Sequence, residues 1–198
     1  MQIVKIRKLI LCDGSILDMG SKKSISNITN YLTTNEKINY ADKFTKDPND
    51  IIIDLEKISK LSDKKFKNIF LLNVLEHIYN FENCLKNCYQ ALDKGGYFYG
   101  STPFLFQVHG SPDDYFRYTE QSLIKALEDT GFNSIKIEVL CGGIFICFYS
   151  SISRITARIP MMNNILLFIC QILDFFINLF SKNIKKIFPL GYFFTGNK

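Results

Sequence analysis

Polar groups able to hold a ligand stand at the ends of five apolar runs in this sequence. Asp18 and Gly20 follow the first run, Asp42 the second, Asp54 the third, Asn73 to His77 the fourth, and Ser101 to Phe104 the fifth. A polar residue after a strand is ordinarily a turn former. In an open parallel sheet, however, ligands bind at the carboxyl ends of strands, where backbone N–H groups and loop side chains converge. Five such ends in order trace the edge of a binding site. The loop after the fifth run adds His109, Asp113, Asp114, Tyr115 and Arg117. His109 has an unperturbed pKa near neutrality and could take a proton from an acceptor, with Asp113 or Asp114 orienting it or serving as the base. Arg117, Tyr115 and Tyr118 could contact a phosphate or a sugar ring. The plainer alternative makes residues 112–115 a turn, Arg117 its ion-pair partner and His109 a packing residue; His77 would then simply start a helix. His109, Asp113 and Asp114 could also offer N/O ligands, but three ligands on one loop do not make a centre, and no metal is expected.

The elements that must carry these groups follow from hydrophobic pattern. Residues 15–20, 38–42, 51–54 and 69–72 are short apolar runs of strand type, and continuous β-branched runs imply strands buried on both faces. Phe81, Leu85, Cys88 and Leu92 recur at helical spacing after Asn80, an N-cap, and before Gly95-Gly96. Residues 97–101 form the next strand. Leu123, Ile124 and Leu127 mark a second helix between Thr119 and Gly131, residues 135–140 alternate as a strand, and residues 189–195 make the last one. A weakly helical stretch spans residues 24–34. Strand alternating with helix is the pattern of an α/β sheet.

The chain has 198 residues, 47% of them hydrophobic and 22% charged, which suits one globular domain. The net charge of +5 comes from scattered lysines rather than one basic face, so no nucleic-acid partner is expected. Cys12, Cys84, Cys88, Cys141, Cys147 and Cys170 contain no C-x-x-C pair and fit reduced core thiols. The first nine residues lack an apolar signal core, so the cytoplasm is the expected compartment.

The segments Ile16-Leu17-Asp18-Met19-Gly20-Ser21, Asp42, Asp54-Leu55-Glu56, Asn73-Val74-Leu75-Glu76-His77-Ile78 and Leu92-Asp93-Lys94-Gly95-Gly96 together resemble the class I S-adenosylmethionine-dependent methyltransferases over residues 15–140. Pro103-Phe104, His109, residues 112–115 and Arg117-Tyr118-Thr119 resemble the branch associated with surface-polysaccharide and other glycan biosynthesis. The resemblance implies a three-layer, Rossmann-like, seven-stranded methyltransferase sheet in a single domain over 1–198. It implies S-adenosylmethionine as cofactor and methyl transfer to oxygen on a small or lipid-linked saccharide or glycan precursor. Asp42 would take the ribose hydroxyls; Gly20 and the Ser21 amide would meet the methionyl carboxylate. Asp18 would orient that turn or the methionyl amine, Asp54 and Leu55 would meet the adenine, and Asn73 would form the floor. His109 and Asp113 are the catalytic candidates, and Glu76, His77, Phe104, Tyr115 and Arg117 fall on the acceptor side. The loop after Gly20 has one glycine where the family has two or three. A nicotinamide-dependent reductase is disfavoured by the absence of G-x-G-x-x-G. The alternative is a noncatalytic module of the same fold, held at a membrane or a partner protein.

Residues 159–188 form an apolar helical insertion before the final strand, 189–198. Asn164, Gln171, Asp174, Asn178, Lys182 and Lys185 fall in one narrow stripe, and polar residues near its centre argue against a membrane-spanning helix. The apolar face is expected to pack on the sheet, form a homodimer, or lie peripherally on the inner face of a membrane, with Lys182, Lys185 and Lys186 near anionic head groups.

Overall fold

A computed structural model describes residues 10, 13–21, 38–58, 61, 65–110 and 113–198. The short apolar runs form β1 (Ile16–Met19), β2 (Ile38–Asp42), β3 (Ile51–Ile52) and β4 (Phe66–Leu72). The later ones form β5 (Leu92–Pro103), β6 (Asn133–Gly142) and β7 (Pro189–Asn197). They make one seven-stranded sheet in the order β3-β2-β1-β4-β5-β7-β6. Among the described strands, β7 lies antiparallel to β5 and β6 and the other pairings are parallel. Strand order reverses between β1 and β4, which opens a crevice at their carboxyl ends.

Alternation sorts the strand residues between two faces. Leu17, Met19, Ile69, Leu71, Phe98 and Phe194 join the larger core; Ile16, Phe70, Tyr99 and Phe193 form a second cluster. On the larger core lie α1 (Phe81–Ala91) and α2 (Glu120–Thr130). Asn80 caps α1 by accepting from the Asn83 amide at 3.3 Å, and Cys84, Leu85, Cys88 and Ala91 are buried. Thr119 caps α2, which stops at Gly131 in the left-handed region at φ 106°. Cys84, Cys88 and Cys170 are buried free thiols, whereas Cys141 and Cys147 are half-buried; Cys12 and the stretch 24–34 lie outside the described residues. Gly95-Gly96 does not follow the helix as a stop. These residues lie inside β5, where they pair with the chain end, Gly95 N donating to Lys198 O (2.9 Å) and Lys198 N to Gly96 O (3.2 Å).

The insertion between β6 and β7 is longer than the composition change at residue 159 indicates. It comprises α3 (Ile144–Thr156), α4 (Pro160–Phe180) and α5 (Ile184–Ile187). Asp174 of α4 is buried, and its carboxylate accepts from the Phe145 amide (3.1 Å) and the Ile146 amide (2.8 Å), capping α3 at its positive end. Asn163 accepts from the Tyr149 and Thr156 hydroxyls at 3.0 and 2.7 Å. A polar line thus ties α4 to α3, while Ile165, Phe168, Phe175, Phe176, Leu179 and Phe180 face outward. Asn164 and Gln171, expected in the same stripe, remain exposed. Residues Met161–Phe180 are long and apolar enough to cross a membrane by length and composition.

Candidate active site

A cleft of about 390 Å³ runs along the carboxyl ends of β3, β2, β1 and β4. Its lining gathers Gly20, Ser21, Asp42, Asp54, Leu55 and Asn73 on the expected cofactor side, and His77, Asp113 and Tyr115 from the acceptor side. The volume lies in the usual range of small-molecule sites, roughly 300–1,000 Å³. Lys43, Phe44, Ile53, Glu56, Val74 and Ile78 also line it. Glu56, Val74 and Ile78 belong to the segments quoted above, Lys43 and Ile53 adjoin Asp42 and Asp54, and Phe44 lies two residues past Asp42, so proximity to the strand ends was the signal available for them.

The β1 turn is a matter of shape. Gly20 has φ 76°, and its amide donates to Ala41 O at 2.7 Å. That amide is therefore used by β2, so Gly20 shapes the turn and, lacking a Cβ, leaves room for close approach to the backbone there, with the Ser21 amide as the candidate donor. Ser21 follows it on the cleft wall. Asp42 ends β2 and accepts from the Phe44 amide at 2.6 Å, which turns Lys43 and Phe44 toward the cleft. The loop after β3 is braced from α1: Asn83 donates to Glu56 O (2.9 Å), and buried Asn87 donates to Leu55 O (3.2 Å) and Lys57 O (2.8 Å). Partial desolvation would raise the Asp54 carboxyl. The Lys43 ammonium at 3.1 Å, the Glu56 amide and Lys57 outweigh it and hold the pKa below the ordinary value.

Asn73 follows β4 at φ 52°, in the left-handed region that a non-glycine residue seldom occupies. Its amide donates to Ser101 O (2.9 Å), and its side-chain oxygen accepts from Ser101 Oγ (2.9 Å). β5 therefore holds the floor residue in place. Asn73→Ala is expected to lose about 2 kcal/mol, combining backbone strain of about 1 kcal/mol with one hydrogen bond. Asn73→Gly should recover the backbone part, and thermal melts of the two variants check this; equal melting temperatures would refute it.

Five expected site residues stand off the cleft lining: Asp18, Phe104, Arg117, Glu76 and His109. Asp18 is buried within β1 rather than on the cleft, because the strand continues one residue past it. Phe104 packs on Tyr192, with ring centroids 5.8 Å apart. Arg117 is spent on Asp114: Nη2 donates to Oδ2 at 2.7 Å and Nη1 to Oδ1, and Nη2 also reaches Gln107 O at 3.2 Å. That guanidinium holds the Asp114 carboxyl well below the usual carboxylate range. Glu76 has no exposed surface and lies behind His77 instead of facing an acceptor. Burial pushes its carboxyl upward, against its own backbone amide, the two imidazoles and the Thr102 hydroxyl.

His109 is half-buried behind the cleft lining, its ring 5.1 Å from that of His77 in an edge arrangement. Its amide donates to Asp114 Oδ2 at 2.9 Å. The Asp113 carboxyl belongs to a residue of the cleft wall, beside the Tyr115 phenol, whose pKa rises through desolvation and the hydrogen bond with Asp113. Of the two catalytic candidates, only Asp113 is on the wall.

These groups fit S-adenosylmethionine. Asp42 would accept from the ribose hydroxyls, Leu55 and Ile53 would cover the adenine with Phe44 at the mouth, and the Ser21 backbone would meet the methionyl end. Residues 12–100 match the family described as methyltransferase domain. No curated protein matches the sequence. Among solved structures, a SAM-dependent methyltransferase from Archaeoglobus fulgidus is similar, with TM-score 0.61 and 16% identity over 99% of this chain and 92% of that one. One from Mesorhizobium loti has TM-score 0.60 and 15% identity over 100% and 98%. A Haemonchus contortus phosphoethanolamine N-methyltransferase in complex with S-adenosylhomocysteine has TM-score 0.62 and 14% identity over 100% of this chain but 52% of its own. The matched segment, residues 12–100, supplies the strand ends on which the cleft is built, and the chain has the seven-stranded fold of the S-adenosylmethionine-dependent methyltransferases.

Proposed function

We propose that this methyltransferase acts on a hydroxyl oxygen of a saccharide or glycan precursor presented at the inner face of a membrane. The observation that carries the membrane part is the α3–α4 hairpin. It is inserted between β6 and β7, whose adjoining ends lie at the same edge of the sheet as the cleft. Gln107, in the loop that leads to His109, donates to the Ser150 and Ser151 carbonyls of α3. Residues 144–188 contain five basic residues, Arg154, Arg158, Lys182, Lys185 and Lys186, and one acid, the buried Asp174. A basic rim around an outward apolar face suits an anionic lipid surface, where each cation near the surface is worth about 1 kcal/mol.

The polar acceptor end and the likeness of residues 103–119 to glycan-modifying relatives support a hydroxyl acceptor. When bound, S-adenosylmethionine supplies an electrophilic methyl group on a cationic sulfur. The protein must orient the acceptor in line with it, keep water out and remove a proton. Asp113 takes the proton, Tyr115 positions the acceptor oxygen, His77 holds the Asp113 backbone carbonyl at the cleft wall, and the Asn73 turn forms the floor.

Two assays test the reading. The protein should float with vesicles containing anionic lipid and bind neutral vesicles less well; Phe168→Ser combined with Phe175→Ser should leave it in the soluble fraction. Intact protein that stays unbound, or that buries the face by dimerising instead, would overturn the membrane part. With membranes and methyl-labelled cofactor, label should enter a lipid-extractable glycan as an ether stable to mild alkali. Alkali-labile label would identify a carboxylate acceptor and overturn the hydroxyl assignment.

A further inference from the structure

Behind the cleft wall, three electron-pair donors converge. Glu76 Oε1 is fully buried and has no hydrogen-bond partner among the described residues. His77 Nε2 lies 3.7 Å from it and His109 Nε2 3.9 Å, both beyond hydrogen-bonding range. All three atoms fall within 4.8 Å of one another.

The tautomer of each ring follows from its other nitrogen. His77 Nδ1 is in hydrogen-bond contact with Asp113 O, and His109 Nδ1 lies 3.1 Å from Gln107 O. A carbonyl oxygen can only accept, so Nδ1 carries the proton in both rings. In the neutral rings each Nε2 therefore presents a lone pair toward the Glu76 carboxylate. Three acceptors meet with no donor among them, and a cation is what such a place lacks.

The geometry points to a divalent metal site of the zinc type, formed by Glu76, His77 and His109. Two imidazoles and one carboxylate form a three-ligand set typical of metal sites that keep further positions open. Donors held at about 2.1 Å around a tetrahedral centre lie about 3.4 Å apart, so the two imidazole–carboxylate separations of 3.7 and 3.9 Å need shorten by about half an ångström or less, and the two imidazoles, within 4.8 Å of each other, by at most about 1.4 Å. The outer support is already present. Asp114 Oδ2 stands 3.4 Å from His109 Nδ1 and is itself fixed by Arg117, and Thr102 Oγ1 donates to Glu76 Oε2 at 3.3 Å. Carbonyls and carboxylates of this kind orient metal-bound histidines. His77 belongs to both the ligand set and the cleft wall, which sets an ion held there beside the acceptor end. There the ion lowers the pKa of a bound hydroxyl, whose proton passes to Asp113. That catalytic role rests on the hydroxyl-acceptor reading; metal binding does not.

The test uses the full chain, stripped with chelator and titrated with Co²⁺ by absorption and with Zn²⁺ by calorimetry. One equivalent should bind, with a cobalt spectrum of nitrogen and oxygen ligands. His109→Gln, on a half-exposed ring, should keep the fold and weaken binding about 100-fold; Glu76→Gln and His77→Gln should do the same, with circular dichroism as the fold control. Asp42→Ala should bind Co²⁺ as the parent does, which separates this result from the fate of the methyl-transfer reading. The absence of saturable binding, a thiolate-to-cobalt charge-transfer band, or affinity unchanged in His109→Gln would overturn the site.

Discussion

Asp42→Ala is expected to weaken S-adenosylmethionine binding by about 100-fold or more in a calorimetric titration. The half-buried carboxylate at the end of β2 offers about four lone-pair directions, one of which the Phe44 amide uses. Two hydrogen bonds from ribose hydroxyls to a charged acceptor are worth about 1.5–3 kcal/mol each. Solvent access at the cleft favours the lower end, about 3 kcal/mol, or about 100-fold. Asp42→Asn separates this loss from disturbance of the turn, since its side-chain oxygen can still accept from Phe44. Asn should keep the melting temperature and recover only part of the affinity. Parent-like affinity in Asp42→Ala would remove Asp42 from the ribose role; no binding by folded parent protein would favour the noncatalytic module.

Gly20→Ala should produce the largest loss of stability among single changes at the cleft. A Cβ there would lie 2.6 and 2.7 Å from the two methyl carbons of Val74, and φ 76° is a conformation that L-residues rarely adopt. The left-handed backbone costs alanine about 1–2 kcal/mol and the overpacking about 1–3 kcal/mol. The sum, about 3 kcal/mol, corresponds to a melting temperature about 6–12 °C lower for a chain of this size. Adding Val74→Ala removes the clash but not the backbone strain, so the double variant should recover part of the loss. A thermal melt of Gly20→Ala indistinguishable from the parent would show that this turn is not constrained as described. Because the same turn presents Ser21 to the cleft, cofactor affinity should fall along with stability.

The sequence by itself determined those features whose causes lie within a few residues. The runs at 16–19 and 38–42 are legible as strands because each is short, rich in large apolar or aromatic side chains and closed by a carboxylate or turn residue, which therefore sits at the sheet edge. Asn80 and Thr119 start helices through local capping bonds, and Gly131 ends one through its left-handed backbone. The order of strands, helices and polar ends was therefore readable, and with it the methyltransferase fold and most residues of the cleft wall.

Only the tertiary structure decided which distant groups meet. Glu76 looks like a surface acid of a polar motif, yet the loop after β5 folds over it: Tyr115 N donates to Glu76 O at 2.8 Å, and the carboxylate is enclosed. That closure sets His109 beside His77, thirty-two positions earlier in the chain, whereas spacing alone grouped His109 with Asp113 and Asp114. Asp114 meets both partners the sequence allowed, pairing with Arg117 three residues on and accepting from the His109 amide. In α4 the helical period revealed a polar line, but not that Asp174 would use it to cap α3 and leave the phenylalanines outside. Local periodicity depends on sequence neighbours. Convergence of side chains depends on strand order and loop closure, which a linear pattern does not contain.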